Sequence, residues 1–312
     1  MAFGIPGTLS TEPAGLRTFF GLLQGSRSYF PIDDVSPHRV LQVNGKPTPE
    51  GGYTTDRIGQ GAVDFINEQG DEPFFLFVSF TAPHGPLQPK PEIESELSGI
   101  KDPKRRKYVG LVKNLDENVG RILDAIEAKG LRERTLIIFT NDNGGQVLTG
   151  ANNSPLRGKK GDVWEGGLRV PMAMQWPGRI PSGVVCDTPV ITLDFLPTFM
   201  KVAGGGGENA NALDGMDLTP LFKNPSTTSD ARNLFWRTHG SKGQVAVRNG
   251  DWKLVWQRDK PDTEPKLFNL ANDVAENDNV AESHPERVNE MLSAIQEWEQ
   301  ELEEPRWGQA AE

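Results

Sequence analysis

The sequence contains a single cysteine, Cys186, which excludes an intrachain disulfide framework and any zinc site built from several thiolates. It also lacks an apolar stretch of membrane length. The longest apolar run, near residues 74–82, is far short of the roughly 20 residues a spanning helix needs. The first twelve residues hold no basic side chain and no apolar block, so they do not read as a secretory signal. Either the protein is cytosolic or the chain lacks its true beginning. Positive charge is in short supply too: 33 Lys and Arg against 43 Asp and Glu, net −10. That balance argues against nucleic acid and anionic membrane as partners.

What is present is enough to fold. With 312 residues, 36% hydrophobic and 24% charged, the chain buries a core as one large α/β domain or two small ones. The 34 glycines and 24 prolines argue for long loops between elements and against a helical bundle. No internal repeat stands out.

Residues 1–52 read as a loop-rich segment. From Tyr53 a helix is expected, with Thr54 and Thr55 as N-caps, Asp56 in the first turn, Ile58, Ala62, Phe65 and Ile66 on one stripe, and an end near Gly70. Residues 73–80 form an apolar run without alternation, the pattern of a strand buried on both faces. Residues 108–129 carry a long apolar stripe and stop at Gly130, and residues 135–140 read as a second buried strand. Helix then buried strand, twice, predicts a largely parallel central sheet flanked by helices. A third strand is expected at 170–176 and a helix at 192–202. After a Gly-, Asn- and Ser/Thr-rich connection at 203–231 the pattern changes. Short strands at 233–238, 244–248, 252–257 and 266–269, with a turn at Asn249-Gly250-Asp251, precede a helix at about 285–302. The expected organisation is an N-terminal segment 1–52, an α/β core 53–231, and a C-terminal antiparallel sheet with one helix, 232–312.

In open α/β sheets ligands sit at the carboxyl ends of strands. Two such ends carry polar clusters: His84 after the first expected strand and Asp142-Asn143 after the second. A third cluster runs from Asn153 to Asp162 and includes Arg157, Lys159 and Lys160. Side-chain oxygens of Asp and Asn suit a hard cation such as Ca²⁺ or Mg²⁺. A lysine on a Gly-flanked loop suits an anionic oxygen, and a histidine can donate to an anion or move a proton. Together they point to a metal-assisted site for a phosphate or sulfate ester. Taken singly, each cluster reads more simply as a turn or a solvated loop. His38, His239 and His284 read as structural or surface residues.

Several longer stretches resemble the formylglycine-dependent sulfatases, arylsulfatase type, of the alkaline phosphatase superfamily. They are GLRTFFGLLQGSRSYF, FFLFVSFTAPHGPLQ, YVGLVKNLDENVGRILDAIEAKGL, TLIIFTNDNGG, SPLRGKKGDVWEGGLRVPMAMQWPGRIPSG, VAVRNGDWKLV and LFNLANDVAENDNVA. The resemblance implies an alkaline-phosphatase-like α/β fold and hydrolysis of sulfate esters carried by a small molecule or glycan. It makes Asp142 and Asn143 ligands of a divalent cation, usually Ca²⁺. It makes Lys160 a contact to the sulfate ester, although Lys159 stands where the family commonly has Gly. It gives His84 a sulfate oxygen to bind or a leaving group to assist. Members of the family are often exported.

The family's nucleophile is a formylglycine made in a Cys-x-Pro-x-Arg motif, and this chain does not show one. Cys186 is followed by Asp187-Thr188-Pro189, and Val35-Ser36-Pro37-His38-Arg39 has Val where the nucleophile belongs. The family's first-strand Asp pair has no counterpart; Asp33-Asp34 follows no strand. The expectation is a C-terminal part of a sulfatase, with an incomplete metal site, no formylglycine, doubtful activity of its own, and self-association through uncovered apolar strands. The competing expectations are another superfamily hydrolase, acting on a phosphodiester or phosphonate, and a non-catalytic anion-binding or assembly remnant.

Overall fold

A computed structural model of the chain describes residues 17–33, 35–205, 213–225, 231–239, 242–258, 260 and 263–303. Asp34, and parts of the expected 203–231 connection and of both end segments, lie outside the described residues. The chain divides into two compact units, residues 1–132 with 148–151, and residues 133–147 with 152–312.

The first unit opens with three two-residue strands, β1 (Phe20–Gly21), β2 (Gln42–Val43) and β3 (Lys46–Pro47), paired antiparallel in that order. The β2–β3 turn is Asn44-Gly45, both at positive φ, 48° and 81°, the backbone that a two-residue hairpin demands. These strands are too short to show periodicity, which is why the segment carries only loop signals in the sequence.

Helix α1 (Thr54–Glu68) forms where expected, but Thr54 and Thr55 do not cap it. Tyr53 is the N-cap, and both threonines are buried in the first turn, Thr54 Oγ1 donating to the Ser28 carbonyl at 3.1 Å. A short α2 (Pro91–Glu96) follows. Helix α3 (Pro103–Ala128) starts five residues before its apolar stripe, because Asp102 accepts from the Arg105 amide at 2.7 Å and Pro103 occupies the first helical position. The helices α1 and α3 meet at Gly59, where a Cβ would lie 2.2 Å from Asn118 Oδ1.

Residues 73–80 are not a strand of any sheet among the described residues. Phe75 and Phe77 are 57% and 53% exposed, so the run is not buried on both faces. An unbroken apolar run reports low polarity and not strand pairing, so the expected strand is absent among the described residues.

In the second unit β4 (Ile137–Thr140) pairs antiparallel with β5 (Met172–Gln175), Phe139 opposite Ala173. Every strand pairing among the described residues is antiparallel, so the α/β character comes from helices and these small sheets and not from a parallel sheet within them. Between the two strands lies a single helical turn, α4 (Glu165–Leu168). Helices α5 (Phe195–Val202) and α6 (Thr219–Lys223) follow. Buried Asp194 anchors them, salt-bridged to Arg232 at 2.5 Å and accepting from the Ile191 and Met216 amides.

The C-terminal sheet is an antiparallel meander: β6 (Asn233–Arg237), β7 (Gln244–Asn249), β8 (Trp252–Gln257) and β9 (Lys266–Asn269). Gly250 at φ 58° turns β7 into β8. Alternation sorts the two faces. Val245, Val247, Leu254 and Leu267 pack with Met291 and Ile295 of α7 (Pro285–Gln300). Ala246, Val255, Phe268 and Leu270 pack with Val163 and Trp164. The sheet is thus covered on one face by a helix and on the other by the segment that leads into α4.

Candidate active site

His84 belongs to the first unit. Its loop carries cis peptide bonds at Ala82–Pro83 and Gly85–Pro86. The Tyr29 hydroxyl donates to the His84 carbonyl at 2.7 Å, the Tyr53 hydroxyl donates to the Gln88 carbonyl at 2.8 Å, and Gln88 Oε1 accepts from the Tyr29 amide and the Ser28 hydroxyl. Burial pushes both tyrosine hydroxyls well above their usual range, so they stay protonated as donors. The imidazole itself is exposed, with Nδ1 2.8 Å from the Gly85 carbonyl. A carbonyl only accepts, so Nδ1 carries the proton and Nε2 faces outward free.

Asp142, Asn143 and Lys160 belong to the second unit, and there the backbone joins their loops. The Gly144 amide donates to the Gly167 carbonyl at 2.9 Å and the Lys160 amide to the Gly145 carbonyl at 3.2 Å. A Cβ on Gly144 would sit 1.8 Å from the Gly166 carbonyl oxygen, so the strand end and the α4 turn lie backbone on backbone. Asn153 stitches the seam: its Oδ1 accepts from the Gly145 amide at 3.0 Å, and its Nδ2 donates to the Gly145 and Gly158 carbonyls. Asp142 is exposed and its Oδ1 accepts from the Asn143 amide at 3.0 Å. Lys159 turns back on Asp162, Nζ to Oδ2 3.3 Å. Lys160 is exposed, and its ammonium bonds to nothing among the described residues.

Behind this seam lies a buried ion cluster. Lys253, fully buried on β8, places Nζ 2.8 Å from Glu165 Oε1 and 2.9 Å from Glu276 Oε1. Glu276 Oε2 accepts from the Glu165 amide at 2.7 Å, and its carbonyl accepts from Arg157 Nη1 at 2.8 Å. The Arg157 guanidinium lies 3.9 Å from the centre of the Trp164 ring. Glu276 has positive φ, 55°. Burial pushes its carboxyl upward against the pull of Lys253, which two carboxylates share. Arg157 is exposed but is tied down by Glu276 and Trp164, and buried Glu165 is tied down by Lys253, so both anchor this loop. Lys253 and Glu276 carried no sequence signal, because charged residues ordinarily stay at the surface.

Ser283-His284-Pro285-Glu286-Arg287 is Ser-x-Pro-x-Arg. The structure explains it as a helix start, with His284 as N-cap, Pro285 in the first turn of α7 and an exposed Ser283. His38 and His239 are exposed, and His284 packs edge-on against Trp252.

The oxygen chemistry of Asp142 and Asn143 fits a hard divalent cation in kind. Two side chains are a fraction of the roughly 6–8 oxygens that Ca²⁺ takes, and the described residues contain no cluster of three or more acidic, His or Cys groups able to hold a metal.

An α/β fold closed by an antiparallel sheet thus carries an oxygen pair at a strand end and an unpaired lysine on the adjoining loop, groups whose chemistry suits a hard cation and an anionic oxygen. The comparison with known proteins narrows this. The sulfatase family profile matches residues 10–205, and the profile of the N-sulphoglucosamine sulphohydrolase C-terminal region matches residues 159–304; the chain belongs to the sulfatase family. It is 33% identical over 262 residues to a sulfatase of Formosa agariphila, covering 75% of this chain and 47% of that protein. It is 33% identical over 227 residues to mouse steryl-sulfatase, covering 69% of this chain and 35% of that protein. The chain therefore spans about half or less of the length of these relatives. Its structure superposes on Ps i-CgsB in complex with k-i-k-neocarrahexaose with a TM-score of 0.90 at 31% identity, over 98% of this chain and 71% of that one. The structure of BT4656 with D-glucosamine-2-N,6-O-disulfate, at 18% identity and TM-score 0.75, shares the fold.

Proposed function

We propose that the chain carries the ester-recognising part of a sulfate-ester hydrolase site, and that the ester is borne by a sulfated glycan. The observation that carries the reading is the different fate of two adjacent lysines. Lys159 is neutralised by Asp162, while Lys160 keeps its charge free at the seam with Asn143. An unpaired ammonium on a loop pinned by backbone bonds attracts an anionic ester oxygen without needing to be reordered. In the first unit, His84, once its exposed imidazole takes up a proton at Nε2, donates to an anionic oxygen or hands that proton to an alcohol. Asp142 and Asn143 contribute oxygens to a divalent cation, Ca²⁺ first and Mg²⁺ as the alternative. Such an ion, when bound, supplies positive charge for the ester oxygens. The glycan part rests on the likeness to Ps i-CgsB, whose solved complex holds a carrageenan hexaose.

Binding is the direct test. Phenyl sulfate titrated calorimetrically into the chain, with and without Ca²⁺, should bind about tenfold more weakly to Lys160→Ala, a loss of ~1.4 kcal/mol, and nearly as well to Lys159→Ala. Equal losses in both variants would overturn the assignment. With no Cys-x-Pro-x-Arg to supply a covalent nucleophile, the purified chain should turn over no activated aryl sulfate at a rate typical of sulfatases. Self-association through the exposed rings of Phe75, Phe77 and Phe139 should show in light scattering as a mass above 34.3 kDa.

A further inference from the structure

The loop that carries Lys160 closes on itself. The Gly166 amide donates to the Arg157 carbonyl at 2.6 Å, and inside that closure the Asp162 amide donates to the Lys159 carbonyl at 2.9 Å. Asp162 Oδ2 accepts in return from the Lys159 amide at 3.0 Å. These bonds fix the shape of the loop. They do not fix where that shape sits, because each joins two of the loop's own residues.

Glu276 supplies bonds of another kind. It is fully buried and follows β9, 119 positions after Arg157. Its carbonyl accepts from Arg157 Nη1 at 2.8 Å, and its Oε2 accepts from the Glu165 amide at 2.7 Å. One residue thus holds both ends of the loop. Both bonds leave from a backbone at φ 55°, a left-handed conformation that a residue with a side chain keeps only where its surroundings hold it. Here the Glu276 amide donates to the Asp273 carbonyl at 3.2 Å, and Lys253 Nζ lies 2.9 Å from Oε1. The Arg157 guanidinium is seated in turn by the Trp164 ring at 3.9 Å. On its other side the loop meets the strand end through Asn153 and through the 3.2 Å bond from the Lys160 amide to the Gly145 carbonyl.

We infer that Glu276 is a positioning residue for the ester: by gripping Arg157 and Glu165 it sets where Lys160 holds its ammonium, and so how tightly a sulfate oxygen binds. The inference rests on the assignment of Lys160 to the ester. A charge held in place beforehand costs nothing to order on binding, whereas a loop released at its ends must be ordered each time.

The test is a double-mutant cycle in the full chain, with phenyl sulfate titrated calorimetrically. Glu276→Ala leaves Lys253 paired with Glu165, and Arg157→Leu changes an exposed position. Each is made alone and on Lys160→Ala, and each is checked by circular dichroism for a native fold. Alone, each should weaken binding about fivefold, within the loss expected for Lys160→Ala, and add nothing in the Lys160→Ala background. In Glu276→Ala the amide resonances of residues 158–162 should shift or broaden while those of α5 and α6 stay in place. Wild-type affinity in both folded variants would overturn the inference. So would an equal loss with and without Lys160, the mark of a general loosening. If Lys160→Ala itself binds phenyl sulfate as the wild type does, the ester reading fails and the amide signals decide the clamp alone. Disturbance confined to 158–162 then keeps Glu276 as the clamp of that loop, and undisturbed or unit-wide signals remove it.

Discussion

The two loops that carry the expected site residues are held by opposite means. The His84 loop hangs on neutral hydrogen bonds: two tyrosine hydroxyls donate to its carbonyls, and Gln88 Oε1 accepts from the Tyr29 amide. The loop of Lys160 is backed by charges taken fully out of water, Lys253 between Glu165 and Glu276. Neutral bonds are each worth modest amounts and fail one at a time. A buried ion cluster fails as a whole, because removing one member strands the others without solvent. The first arrangement tolerates adjustment of a single group, and the second tolerates none.

Lys253→Met is the hardest blow to that contrast. It leaves Glu276 buried without its cation and Glu165 with only the longer contacts to Arg248 at 3.6 Å and Arg169 at 3.9 Å, and should cost about 3–5 kcal/mol in urea unfolding. The double variant Lys253→Met with Glu276→Gln should recover part of the loss. A single-variant cost under ~1 kcal/mol would show that the cluster is not sealed from water. In the other loop Tyr29→Phe removes one donor from the His84 carbonyl and should cost about 1–2 kcal/mol. Faster amide exchange should be confined to residues 81–88; acceleration spread through α1 and α3 would mean that the hydroxyl supports more than its loop.

The pH dependences should have opposite signs. Burial alone would raise Asp56, yet bonds from Lys90, Asn118 and Asn114 more than offset it and hold the carboxyl below its ordinary 3.8. The folded state therefore binds fewer protons there. The advantage of the wild type over Asp56→Asn should be present above pH 3.8 and lost as pH falls through the lowered value. Glu276 is raised, so the folded state binds more protons. The wild type should lose ground to Glu276→Gln as pH rises from 4.5 through the raised value. Denaturation midpoints of the two variants across pH 3 to 8 decide it, and parallel profiles would remove the contrast.

The sequence made the long helices and the meander legible because their packing faces repeat: Leu111, Leu115 and Ile126 along α3, and the alternating Val245, Ala246 and Val247 in β7. It misread residues 73–80, where an apolar run carries no information on pairing. It was silent on β1 to β3, whose pairs are too short for any period. The candidate groups Asp142, Asn143, Lys160 and His84 were legible because they lie in turn-rich motifs. What holds those groups was not, because a lysine at 253 and a glutamate at 276 are linked to Glu165 across 88 and 111 positions, and nothing local marks a charge that will be enclosed.

The terminal meander with its helix runs continuously from β6 to α7, so it can be grafted onto a related chain as one piece. Lys253 and Glu276 travel with it, but Glu165 stays behind on the recipient. The piece is therefore keyed. A graft takes only where the donor lysine finds a carboxylate waiting at the first position of the recipient's α4 turn, and a donor that brings an apolar residue at 253 must meet a recipient without the acid.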